Sequence, residues 1–318
     1  MSVETVPARK RKAGIRHFFR KEDIPLYIMA FPVAAFLIIF CYLPMVGVVM
    51  AFQQINIAKG VFASPFVGLK NFEFLFSTTD AYVITRNTVL YNIAYIVVNL
   101  FSAVAMALML SSIRSGRTAK IYQTIYMMPY FLSWTVVQIA AFAFLNTELG
   151  LVNKTLAAIT GEASAINWYH NRPFWPPFLV FINAWKGVGY QTVLYLAVIS
   201  GISADYYEAA MIDGASKLKQ AWYITIPHLR FVITISLIMA MGSIVRGDFG
   251  LHFSVTRNTG MLYPVIDIID TYIYRSLMNL NNIGMSAAAS FYQSTVGLFM
   301  ILIANWVVTK FDPDSAMF

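Results

Sequence analysis

Charge is scarce in this chain, and cysteine is scarcer. Of 318 residues only 12% are Asp, Glu, Lys or Arg, while 58% are hydrophobic, a balance outside that of soluble globular domains. The single cysteine, Cys41, sits inside an apolar run, so no internal disulfide can form and cysteine leaves the compartment open. There is no Gly-Lys dipeptide anywhere, hence no Walker A phosphate loop. His17, His170, His228 and His252 are scattered, without a His-Glu-x-x-His or a Cys/His cluster, which argues against a metal site or a membrane metalloprotease. A Gly-x-Ser-x-Gly elbow is also missing, so no pattern argues for catalysis. The apolar run beginning near Ile24 is too long for a removable signal peptide and lacks a small-residue cleavage site.

What is present is apolar length. The chain is all-α, an integral membrane protein with six transmembrane helices of about 20 residues or more. The spans are expected near 24–52, 87–113, 121–145, 176–200, 228–249 and 286–309. Pro32, Pro44 and Pro129 permit kinks, which membrane helices tolerate. Residues 1–23 form a basic tail, either lying on lipid headgroups or only setting topology, and 24–318 form one membrane domain. An even number of spans puts both termini on one side. That side carries fourteen Lys and Arg against seven on the other, so it is cytoplasmic. The net charge of +8 is accounted for by these loops and by anionic lipid, without nucleic acid.

The longest polar interruption on the cytoplasmic side is DYYEAAMIDGASKLKQAWYITIP, residues 205–227. Asp205 followed by Glu208 reads as a capping box, and Asp213-Gly214 as the stop of a short helix. A second segment carries Leu218, Ala221, Trp222 and Ile224 on one face and ends at Pro227, the first residue of the next span. Taken locally, this is an ordinary helix, turn and helix on a membrane surface.

Glu208-Ala209-Ala210, Asp213-Gly214-Ala215 and Ile224-Thr225-Ile226-Pro227 together resemble the EAA coupling loop of permease subunits in binding-protein-dependent ABC importers, nearest the maltose-type sugar permeases. Ile226 replaces the usual Leu, and Trp222 follows the place of a missing aromatic near Ala221. Val67-Gly68-Leu69-Lys70-Asn71-Phe72 and Met127-Met128-Pro129-Tyr130-Phe131 resemble shorter segments of the same family, and the stretch from Tyr263-Pro264 through Asp267 to Arg275 resembles its polysaccharide branch. The resemblance implies the type I ABC importer permease fold with a coupling loop over 203–227 and translocation of an oligosaccharide or polysaccharide-derived carbohydrate by alternating access. It implies a second homologous permease, an ABC ATPase dimer that binds ATP and Mg, and an extracytoplasmic solute-binding protein. This chain itself would hold no cofactor, and its place would be the bacterial cytoplasmic membrane.

Asn183, Lys186, Gly187 and Tyr190 recur at i, i+3, i+4 and i+7, one stripe along the fourth span. A cation near mid-membrane needs a wet cavity or a partner, and amide, ammonium, bare backbone and phenol suit a hydroxylated ligand. Helix packing, with Lys186 paired to another subunit, is the alternative. Ser243, Arg246 and Asp248 are expected at the outer end of the fifth span, for ligand contact, gating or, for Arg246, snorkelling. A secondary transporter driven by an ion gradient is the rival class, but the cores of the first four spans contain no carboxylate.

Overall fold

The computed structural model describes residues 24–61, 63–113, 115–161, 166–311 and 316, without the side chains of Phe76 and Phe311. The basic tail and Arg114 lie outside the described residues. Among the described residues the regular structure is helical, with one isolated bridge, Gln53 to Phe66, and no strand.

Helix α1, Ile24–Leu37, passes into a π turn at Ile38–Tyr42 and a 3-10 segment at Leu43–Phe52. Pro44 has no N–H for the ladder, and the change of pitch beside it re-registers the backbone bonds. The described residues up to Val49 form one compact unit, and those from Met50 onward form another that contains all the remaining elements.

The second unit begins with α2 at Thr79–Ser111, eight residues earlier than expected, because Thr78 accepts from the Ala81 N–H and Asp80 sits in the positive first turn. Helices α3 (Gly116–Met127) and α4 (Trp134–Leu145) follow, then α5 (Leu151–Thr160) inside what the sequence suggested was a loop. Helix α6 covers Trp175–Ser200, α7 covers Ala204–Ile212 and α8 runs unbroken over Lys217–Gly242. The last two are α9, Ile269–Met278, and α10, Ile283–Phe311.

Among the described residues four helices are long and apolar enough to cross a bilayer, and two bent pairs raise the number to six if each pair is one crossing. One pair breaks by 95° between Phe131 and Trp134, the other by 74° between Ser200 and Ala204. The kink expected at Pro129 is thus a full break. Pro129 is the second residue of a 3-10 turn over Met128–Phe131, and Ser133 caps α4 by accepting from Val136 N–H.

Helix α2 packs along α6, and α8 and α9 pack on α10. Ala103 and Ala107 of α2 and Val188 and Tyr195 of α6 share one buried cluster with Leu229. Close approach depends on small residues: a Cβ at Gly189 would lie 2.0 Å from the Tyr126 carbonyl oxygen, and one at Gly297 would lie 2.5 Å from that of Gly242. Without a hydrophobic drive between helices in lipid, such backbone contact supplies the packing.

Candidate functional site: an exposed elbow and a polar seam

The elbow is α7, the turn after it and the start of α8. Its N-cap is Ser203, whose Oγ accepts from the Asp205 N–H at 3.3 Å, so Asp205 is a first-turn residue and not the cap. The capping box expected from Asp205 and Glu208 is therefore not formed. The stop is as expected, and its bonds are those of a Schellman motif: Gly214 has φ +74, its N–H donates to Met211, and the Ala215 N–H donates to Ala210. Nothing lies within 4 Å of a Cβ built at Gly214, so glycine serves backbone conformation there and not space.

Pro227 does not end the second segment as expected. Helix α8 continues through it, because the preceding residues Ala221–Thr225 form a π turn whose Ile226 N–H reaches Ala221 O and steps the ladder past the missing N–H. Tyr207 OH meets Thr225 Oγ1 at 3.0 Å, tying α7 to α8, and Gln220 Nε2 donates to Ala215 O, tying the turn to α8. Outward, the elbow presents Glu208, Ala209, Asp213 and Gly214, with Ala210 and Ala215 half-buried. Ile212 is 87% exposed and Trp222 65%. Among the described residues the Glu208 carboxylate has no hydrogen bond or ion pair. The knuckle is thus braced from within and leaves apolar and acidic groups open on its outer surface.

The second feature is a break at Ser243–Asp248. The fifth span ends at Gly242, seven residues short of expectation, and the chain turns before a π-helical segment at Gly250–Val255. Irregular backbone beside a membrane helix survives only if its polar groups are satisfied, and three elements satisfy them. Asn92 of α2 donates to Ile244 O and Arg246 O. Asp270 of α9 accepts from the Gly247 N–H at 2.6 Å, and Gln293 of α10 donates to Val245 O and to Asp270. Asp248 Oδ1 accepts from the Leu251 N–H.

Beside this break lies a cavity of about 340 Å³. Asn92, Tyr95 and Asn99 line it from α2, Asn183, Gln191 and Tyr195 from α6, and Ser243, Arg246 and Asp248 from the break. Asn99 Nδ2 donates to Asn183 Oδ1 at 2.9 Å, while Asn99 Oδ1 is buried without a partner. Tyr95 OH meets His252 Nε2 at 2.9 Å, and His252 Nδ1 meets Ile266 O at 2.6 Å. The carbonyl can only accept, so Nδ1 carries the proton and Nε2 accepts from the phenol.

The four-residue stripe expected on α6 divides in two. Asn183 faces the cavity, and a Cβ at Gly187 would come within 3.8 Å of Asn99 Nδ2, whereas Lys186 and Tyr190 meet the break between α3 and α4. Lys186 Nζ donates to Tyr130 O at 2.8 Å and lies over the Tyr130 and Trp134 rings, and Tyr190 stacks on Tyr130 at 4.9 Å. A carbonyl freed where a membrane helix ends is the partner this cation finds. Ser243, Arg246 and Asp248 do join Asn183, across 60 residues of sequence, because the break turns them inward.

Sequence reasoning missed Asn92, Asn99, Gln191, Asp270 and Gln293. Their signal was available as polar residues inside apolar runs, but single amides carry no spacing motif. In the Asp267 to Arg275 stretch the charges are used internally. Arg275 pairs with Asp267 through both nitrogens, and Asp270 holds the break. Burial pulls the Arg275 guanidinium down, yet hydrogen bonding to Asp267 leaves it above its ordinary value.

Residues 24–313 match the family model described as binding-protein-dependent transport system inner membrane component. The chain belongs to that family. This permease is 31% identical to Protein LplB of Bacillus subtilis (strain 168) over 98% of this chain and 99% of that protein. It is 31% identical to the polygalacturonan/rhamnogalacturonan transport system permease protein YteP of the same organism, over 91% and 89%. Among solved structures it resembles a chain of a bacterial ABC transporter involved in the import of the acidic polysaccharide alginate, with TM-score 0.83 and 28% identity over 92% of this chain and 97% of that one. A second such structure, TM-score 0.81 and 27% identity over 92% and 96%, is a complex with an alginate pentasaccharide-bound periplasmic protein. The fold is that of an ABC importer permease.

Proposed function

We propose that this chain is one permease subunit of an ATP-driven importer that moves an oligosaccharide inward by alternating access. The observation that carries the reading is the elbow: a capped, exposed knuckle with an open carboxylate, joined without a gap to α8. In this reading both termini and the elbow face the cytoplasm, where an ABC ATPase dimer binds ATP and Mg and grips Glu208, Ala209, Gly214 and Trp222. A rigid helix carries the stroke from the elbow to the break at its other end. That break and the cavity beside it form part of the sugar path, completed by a second homologous permease. A solute-binding protein delivers cargo on the opposite face. Relatives named for polygalacturonan, rhamnogalacturonan and alginate support a carbohydrate cargo. Asn99 and its unpartnered oxygen suit a sugar hydroxyl.

Nothing favours the ion-gradient alternative, since Asp248 and Asp270 are both engaged by backbone donors. The test is Gly214→Asp or Glu208→Lys in the purified complex. Both should insert and assemble, and both should hydrolyse ATP without cargo uptake. Normal uptake by both would refute the coupling role.

A further inference from the structure

Opposite the elbow lies a second cavity, of about 540 Å³, formed by the segment between α4 and α6 and by the turn after Val255. It sits at the N-terminal end of α6, a helix of 26 residues, roughly 39 Å from the end that carries the elbow.

Arg257 occupies an unusual backbone position there. Its N–H donates to Ser254 O, the Asn258 N–H donates to Phe253 O, and φ is +56. These are the bonds of a Schellman helix end, whose left-handed position normally goes to glycine because a Cβ is disfavoured there. An arginine there bears a strain that glycine would not, and its side chain is exposed at the mouth of the cavity. The guanidinium lies 4.2 Å from the Phe142 ring centre and 6.0 Å from that of Tyr169, and among the described residues it donates no hydrogen bond. Tyr169 lines the same cavity, is 8% exposed, and its hydroxyl has no partner. Burial pushes that phenol up to about 12 against the pull of Arg257, so it keeps its proton. Asn146 and Asn167 add amides to the wall. Glu148 also lines the cavity but forms no ion pair with Arg257.

A fork of N–H donors without an acceptor matches a carboxylate. The space around it is ring-sized, within the ~300–1,000 Å³ of small-ligand sites, and its amides and phenol suit hydroxyls. We propose that this cavity is an entry subsite for a uronic acid residue, with Arg257 holding the carboxylate and Tyr169 and the two asparagines meeting the ring hydroxyls. The proposal rests on the carbohydrate reading above.

The probes are trigalacturonate and its methyl ester, titrated calorimetrically into the whole transporter complex in nanodiscs. Wild type should bind the acid about tenfold more tightly than the ester, the scale of one charge-assisted pair. Arg257→Gly relieves the backbone, so its thermal midpoint should stay level or rise while the preference disappears. Tyr169→Phe keeps the ring and should weaken both probes alike. Equal binding of acid and ester by wild type, no binding of either, or an undiminished preference in Arg257→Gly would overturn the subsite. ATP-driven uptake of an oligosaccharide by a complex lacking that preference would leave the transport reading standing. A wild-type complex that turns over ATP but imports no oligosaccharide would sink both.

Discussion

The elbow and the seam are both polar interruptions in apolar helices, yet they are held in opposite ways. The elbow is secured by residues within about 20 positions of one another: Ser203 at its start, the Gly214 motif at its stop, Ser216 and Gln220 on the next turn, and Tyr207 on Thr225. The seam at Ser243–Asp248 is secured from afar, by Asn92, Asp270 and Gln293 on three different helices. A locally braced structure leaves its outer surface open for a partner. A remotely braced one ties helices together and moves only when they move.

That contrast sets an order of expected effects. Asp270→Leu strands the Gly247 N–H and an amide of Gln293, and two unsatisfied groups should cost about 3 kcal/mol. A drop in the thermal midpoint of the purified subunit or complex measures it, and an unchanged midpoint would mean that the seam is held otherwise. Asn92→Leu frees Ile244 O and Arg246 O and should cost about 2 kcal/mol by the same assay, with an equal loss of midpoint not expected from any elbow variant. Gly214→Ala puts a Cβ at φ +74 in open space and should cost only about 1 kcal/mol. Its stability loss is small while uptake coupled to ATP falls, and a variant impaired in stability but not in coupling would reverse the comparison. Removing the cap with Ser203→Ala comes last among the stability effects, roughly 0.5–1 kcal/mol. Glu208→Gln should leave the midpoint where it is, since among the described residues the carboxylate has no hydrogen bond or ion pair, and a lowered midpoint would show it to be structural.

Lys186 shows how far a spacing argument reaches. The i, i+3, i+4, i+7 pattern identified neighbours on one side of α6 correctly, but a helix face about 100° wide can meet two partners. Here the stripe straddles the line between them. Asn183 falls to α2 and the cavity, and Lys186 falls to the Tyr130 carbonyl. The choice belongs to the break near Pro129, which frees that carbonyl and which the sequence suggested only as a kink.

Apolar length, the all-helical class, the elbow's helix stop at Gly214 and membership of the permease family were legible from residues alone. Each rests on a run of adjacent positions or on backbone limits that act within one turn. The end of the fifth span at Gly242, the separation of Lys186 from Asn183, and the gathering of Asn92, Asp270 and Gln293 around one break were not. Those depend on which helix lies against which, and an amide in an apolar run has no preferred partner until packing brings an unsatisfied backbone group within hydrogen-bonding distance.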